Sequence, residues 1–183
     1  TGFVRINTKL GTASQAADTD LDSESTDWTT AHRLRSVGYL YLRMLYNQTA
    51  FPTGIPNPSA IIRGRKVYDP RTETTAWSNN PALCILDYLI GTVPTATGTE
   101  PVGIGADLDS EIDVDTFIAA ANICDEAVSI AAGGTHARYT CDGVVSSDSS
   151  PAAAMEQMLT SCAGTLIWSG GQYRLFAGVA TSA

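Results

Sequence analysis

The sequence predicts an α+β fold in which antiparallel strands pack with about three helices. Three observations point there. Segments near residues 80–90, 113–131 and 150–163 each carry a capping residue, an apolar stripe at helical spacing and a glycine close behind. Between them lie short runs rich in β-branched and aromatic residues, the composition of strands. Near the end, Thr165-Leu166-Ile167-Trp168 and Tyr173-Arg174-Leu175-Phe176 flank Ser169-Gly170-Gly171-Gln172, where Gly-Gly supplies the positive φ angles of a tight hairpin turn.

Taken in order, Phe3-Val4-Arg5-Ile6-Asn7 alternates like a short strand, and Gly11 to Asp27 is small, polar and acidic, as a surface loop is. Thr26 to Thr29 suits a capped turn ahead of His32, Arg33 and Arg35. Val37 to Asn47 is a near-continuous apolar run that suits a helix or a buried strand; the partial alternation of its aromatics favours the strand. Three prolines and a glycine between Phe51 and Pro58 make an ordered or extended connection. Ile61 to Tyr68 then reads as a strand, free to pair antiparallel with Val37 to Asn47 across that connection. Asp69-Pro70 stops it, because proline donates nothing to a ladder.

Arg71 to Ser78 is a polar loop, and the first helix opens at Asn80-Pro81. Asparagine caps free N–H groups there, and proline at the first position gives up an N–H that would be unpaired anyway. Leu83, Leu86, Leu89 and Ile90 form its stripe, and Gly91 suits the left-handed position that follows. Gly91 to Gly105 reads as a linker. In the acidic run Asp107 to Asp115, the EF-hand pattern for calcium fails, because Ile112 and Ile118 stand where glycine and glutamate are required. Asp113 instead suits the cap of the second helix, whose stripe is Val114, Phe117, Ile118, Ala121, Cys124 and Val128. Arg138 to Val145 reads as a strand kinked at Asp142-Gly143. Ser150-Pro151 opens the third helix, with Met155, Met158, Leu159 and Cys162 inward, and Gly164 ends it.

With 183 residues, 44% hydrophobic and 16% charged, the chain is globular and buries roughly 70% of its extended surface. It divides into a β-rich portion, residues 1–75, and an α+β portion, 76–183, with one continuous domain as the alternative. A net charge of −8 argues against nucleic-acid binding through a basic patch. No run approaches the ~18 apolar residues of a membrane span. The chain begins at Thr1, which suggests a piece of a longer protein. Cys84, Cys124, Cys141 and Cys162 form no CxxC pair, so zinc is disfavoured and free thiols are expected.

Nothing assembles a catalytic set. His32 and His136 both sit in polar, loop-like settings without a nucleophile elbow, and no glycine-rich phosphate loop opens a helix. No catalytic, cofactor-binding or metal-binding residue is assigned, and no enzyme activity is expected.

The blocks RGRKVYDPRT, AWSNNPALCILDYL, DVDTFIAAANICDEAV, RYTCDGVV and LIWSGGQYRLFAG occur in this order from Arg63 to Gly178. They resemble the hub proteins at the tip of long bacteriophage tails, the family of the lambda-type tip attachment protein J. The resemblance implies a baseplate- or tail-hub-like fold and a structural segment of a much larger virion protein. It implies that this larger protein is a homotrimer which closes the tail tube and supports host attachment. It implies other tail-tip and tail-tube proteins as partners, a channel that genomic DNA crosses without specific binding, and assembly in the bacterial host cytoplasm into the virion tail. The alternatives are a receptor- or glycan-binding module, favoured by clustered exposed aromatics, and a cell-envelope hydrolase, favoured by a cleft holding two carboxylates.

Overall fold

A computed structural model describes residues 2–95, 98–101, 103–146 and 148–179. The fold is mixed α+β, with four helices and antiparallel strand pairs among those residues. It separates into two compact units, Thr1–Ile61 and Ile62–Ala183.

In the first unit, β1 (Val4–Leu10) pairs antiparallel with β2 (Gly38–Met44), from Val4 opposite Met44 to Leu10 opposite Gly38. The strand expected over Val37–Asn47 is therefore present, but its partner is not Ile61–Tyr68. The intervening loop contains a short helix, α1 (Thr19–Glu24), that the polar composition concealed. Asp18 caps it by accepting from the backbone N–H groups of Asp20 and Leu21 at 3.1 and 3.0 Å. Gln15 organises the rest of the loop. Its Oε1 accepts from Gly11 N–H at 2.8 Å, and its Nε2 reaches the carbonyls of Arg33 and Leu34 at 2.9 and 2.8 Å. Asn47 closes the strand with a turn, its Oδ1 accepting from the N–H groups of Thr49 and Ala50.

The second unit begins with a hairpin, β3 (Lys66–Asp69) and β4 (Thr74–Trp77). This corrects two expectations. Ile61–Arg65 is not strand, and the polar stretch after Asp69-Pro70 holds β4. The reason lies in the turn: Asp69 Oδ1 accepts from the Arg71 backbone N–H at 2.9 Å, and Glu73 takes a positive φ of 54°. The chain reverses at once instead of leaving the sheet. The helix α2 (Pro81–Ile90) runs from Asn80 to Gly91, as expected, with Gly91 at φ 56° donating its N–H to the Asp87 carbonyl. The segment expected as a linker holds β5 (Thr92–Thr95) and β6 (Gly98–Pro101), an antiparallel pair. Past that pair Gly103 crosses α2 closely, where a Cβ would stand 2.0 Å from the Tyr88 carbonyl oxygen.

The helix α3 (Val114–Asp125) stops about a turn and a half before the expected end near Ala131. Glu126 turns extended, and β7 (Ala127–Ser129) and β8 (Thr135–Ala137) form a hairpin around Gly133-Gly134. Val128 thus belongs to a strand and not to the helix stripe. Asp113 occupies the N-cap position without capping; its carboxylate lies 3.1 Å from Arg174 Nε instead. Arg138–Val145 is not strand. It runs as irregular chain tied by single bonds, Arg138 N–H to Glu126 O, Tyr139 N–H to Cys124 O and Cys141 N–H to Asn79 O.

The helix α4 (Pro151–Thr160) begins under a Ser150 cap, and a closing turn carries the chain to Gly164, whose N–H donates to the Leu159 carbonyl. β9 (Thr165–Ser169) and β10 (Gln172–Phe176) then form the expected hairpin, with Gly170 and Gly171 at φ 65° and 83°. A parallel bridge from Ile112 to Tyr173 adds a third rung beside β10. The core lies between α2, α3, α4 and β10, around fully buried Leu83, Ile85, Leu86, Leu89, Phe117 and Leu175. No helix among the described residues is long and apolar enough to cross a membrane.

Candidate assembly surface

Side chains alternate along β1 and β2, so the ribbon has two chemically different faces. One carries Arg5, Asn7 and Lys9 opposite Arg43, Tyr41 and Tyr39. This polar face receives α1. Asn7 Nδ2 donates to Asp18 and Asp20, while Glu24 accepts from Arg5 at 2.5 Å, from Arg43 at 2.6 Å and from the Tyr41 hydroxyl. The Tyr41 hydrogen bond, with Arg43 and Arg5 nearby, holds the Glu24 carboxyl below its usual range. Burial pushes Asp18 up, but hydrogen bonds from the Leu21 N–H and Asn7 more than offset it, leaving the carboxyl low.

The other face carries Val4, Ile6, Thr8 and Leu10 opposite Met44, Leu42 and Leu40. It is the apolar face, and it is open. Ile6 is 59% exposed, Leu10 87% and Leu40 40%. Among the described residues, the buried side chains of this unit are Gln15 and Asp18, both polar, whereas the buried apolar core belongs wholly to residues 62–183. The ribbon therefore packs its polar side and presents its apolar side. Among the described residues the sheet has two strands, so neither outer edge has a strand partner there. Such a surface gains by being covered.

In the second unit, the five sequence blocks that carry the family resemblance meet one another. Arg71, from the first block, binds Asp69 and reaches across to Asn122 at 3.1 Å and Asp125 at 2.8 Å on α3. The guanidinium of Arg71 keeps the Asp69 carboxyl below its usual range. Arg65 pairs with Asp87 on α2 at 2.9 Å. Asn80, 2% exposed, caps α2 with Oδ1 and donates Nδ2 to the Ala121 carbonyl at 2.9 Å. Tyr139 in the fourth block donates its hydroxyl to the Gly178 carbonyl at 2.9 Å. These residues join elements to each other, which is structural chemistry.

The residues weighed for chemistry are placed apart. His32 is exposed; its Nδ1 accepts from the Thr29 backbone N–H at 2.9 Å, and its ring lies 5.0 Å from Trp28. His136 is exposed on β8. In the acidic run, Asp107 turns its carboxylate onto its own backbone, accepting from the N–H groups of Asp109 and Ser110 and from the Ser110 hydroxyl. Among the described residues no group of three or more His, Cys, Asp or Glu could hold a metal ion. An open depression of about 470 Å³ is lined by Ala31, Arg33, Leu34 and Arg35. The sequence points to edge strands near residues 1–7 and 37–68 as a contact surface between subunits or domains, but the alternation over Phe3 to Asn7 does not say which side of the strand faces inward.

No family model matches the chain. The chain is similar to the tip attachment protein J of Escherichia phage SECphi27, with 29% identity over 140 residues. That match covers 68% of this chain but spans only 11% of the length of the phage protein.

Proposed function

We propose that the chain is a non-enzymatic hub segment of a phage or prophage tail-tip protein, part of a larger chain that closes the tail tube and supports host attachment. The observation that carries this reading is the similarity to a tip attachment protein, whose name alone places it at a tail tip. The β1–β2 ribbon supports it: an apolar face left open on a unit whose buried residues are polar suits a piece that is finished by neighbours. In this reading the β-rich N-terminal portion supplies the contact between subunits or domains, and the α+β portion is a packed structural unit.

The full-length protein is then a homotrimer whose contacts close a ring. Its partners are tail-tube and other tail-tip proteins, and its place is the virion tail, assembled in the host cytoplasm. The net charge of −8 suits a wall past which DNA moves without sticking.

The test combines folding with assembly. Ile6→Glu with Leu40→Glu in the parent protein is expected to abolish tail assembly while the isolated 183-residue chain keeps its melting behaviour. Normal infectious tails from the doubly substituted parent would contradict the assigned surface. A purified chain that cleaves peptidoglycan or a capsule sugar would contradict the structural role.

A further inference from the structure

Two cysteine pairs meet inside the second unit, and they differ in access. Cys124 and Cys162 are both fully buried, whereas Cys84 and Cys141 are half-buried. Local geometry brings the accessible two together. Cys84 Sγ, early in α2, lies 3.8 Å from the Ser78 carbonyl oxygen. Cys141 is pinned at the neighbouring residue, its N–H donating to the Asn79 carbonyl at 2.7 Å, and Asn79 Nδ2 reaches Asp142 at 3.4 Å. The Cys84 side chain and the Cys141 backbone therefore meet the same Ser78-Asn79 stretch, which sets the two thiols beside each other.

We propose that Cys84 and Cys141 form a modification site, a thiol pair that closes to a disulfide when the protein meets an oxidant of the disulfide class such as glutathione disulfide. The surroundings assign the roles. The Cys84 thiol, helped by the Ser161 hydroxyl and opposed by burial, holds Cys141 down at about 6, whereas the same contact and burial push Cys84 up. Cys141 is thus the more readily ionised of the two thiols and the attacking group.

Cys141 displaces one glutathione thiolate from glutathione disulfide and becomes a mixed disulfide. Cys84 then gives its proton to water and attacks the Cys141 sulfur, releasing the second glutathione. Two protein thiols are oxidised, and one glutathione disulfide is reduced to two glutathiones. The new bond staples α2 to residues 138–146, a segment without strand pairing among the described residues. It also closes a long loop, which restrains the unfolded chain. A reducing cytosol keeps the pair open, and an oxidising medium closes it. This chemistry goes beyond the tail reading and stands whether or not that reading holds.

The 183-residue chain, purified under reductant, is incubated with glutathione disulfide, alkylated before and after unfolding in urea, and mapped by mass spectrometry. The expected map holds a Cys84–Cys141 cross-linked peptide, with Cys124 and Cys162 alkylated only after unfolding, and the oxidised protein melts at a higher temperature. Cys84→Ser should leave glutathione on Cys141, and Cys141→Ser should leave Cys84 reduced. The wild-type map decides the matter by itself. Cys84 and Cys141 that both remain alkylatable, or a cross-link from Cys141 to Cys162, would overturn the proposal.

Discussion

Asn80 serves two helices at once. Its Oδ1 accepts from the N–H of Ala82, and its Nδ2 donates to the Ala121 carbonyl on α3 in a buried setting. A cap alone is worth about 1 kcal/mol, and leaving a buried carbonyl unpaired adds about 1–2 kcal/mol more. Asn80→Ala is therefore expected to cost about 2–3 kcal/mol in urea melts, and a loss as small as a surface substitution would contradict this. Asn79 offers no substitute, being engaged with Asp142 and Cys141. The cap was legible in the Asn-Pro dipeptide; the bond to Ala121 was not, because it joins residues 41 positions apart. Asp69 yields a pH prediction. Arg71 depresses its folded-state carboxyl below the unfolded value of 3.8, so its contribution is present above that pH and is lost as pH falls through the folded value. Asp69→Asn should lower stability at neutral pH and flatten the acid limb below about pH 4. An acid limb of unchanged slope, measured by urea melts across that range, would remove Asp69 from the account.

At the scale of elements, local chemistry with a fixed offset was the part that could be read. The β9–β10 hairpin follows from Gly170-Gly171, and α2 and α4 follow from a cap, a proline and a stripe. Gly171→Ala places a Cβ at φ 83° and should cost about 1–2 kcal/mol in thermal or chemical melts. No loss would mean the turn differs from the one described. Pairing partners were not legible. β2 was expected against the chain after the proline-rich connection, yet β1 takes it, because the choice depends on which faces are covered. Likewise α3 ends at Asp125 where the stripe runs on to Val128, since Glu126 turns extended and its carbonyl accepts from Arg138 N–H. Periodicity cannot register a hydrogen bond that arrives from beyond Gly133-Gly134.

At the scale of the molecule, the two units divide the physics. Residues 62–183 hold an apolar core of the usual kind; the blocks that carry the resemblance supply most of it, and Ala106, Ile112, Met155, Met158 and Cys162 join it from outside those blocks. Residues 2–61 hold an α1–ribbon network of charges and amides and leave Val4, Ile6, Leu10 and Leu40 open. Substitutions on that open face should change the isolated chain by no more than ~0.5 kcal/mol, the scale of surface positions. A larger loss, read in urea melts, would mean that the face is covered within the chain itself. The central claim is that this segment belongs to a trimeric hub around the tail axis. Density from intact virion tails tests it most directly: three copies of the 62–183 unit around the axis at the tip, with the β1–β2 ribbon against a neighbouring subunit or domain, is the predicted result, and a single or peripheral copy with the ribbon facing solvent would contradict it.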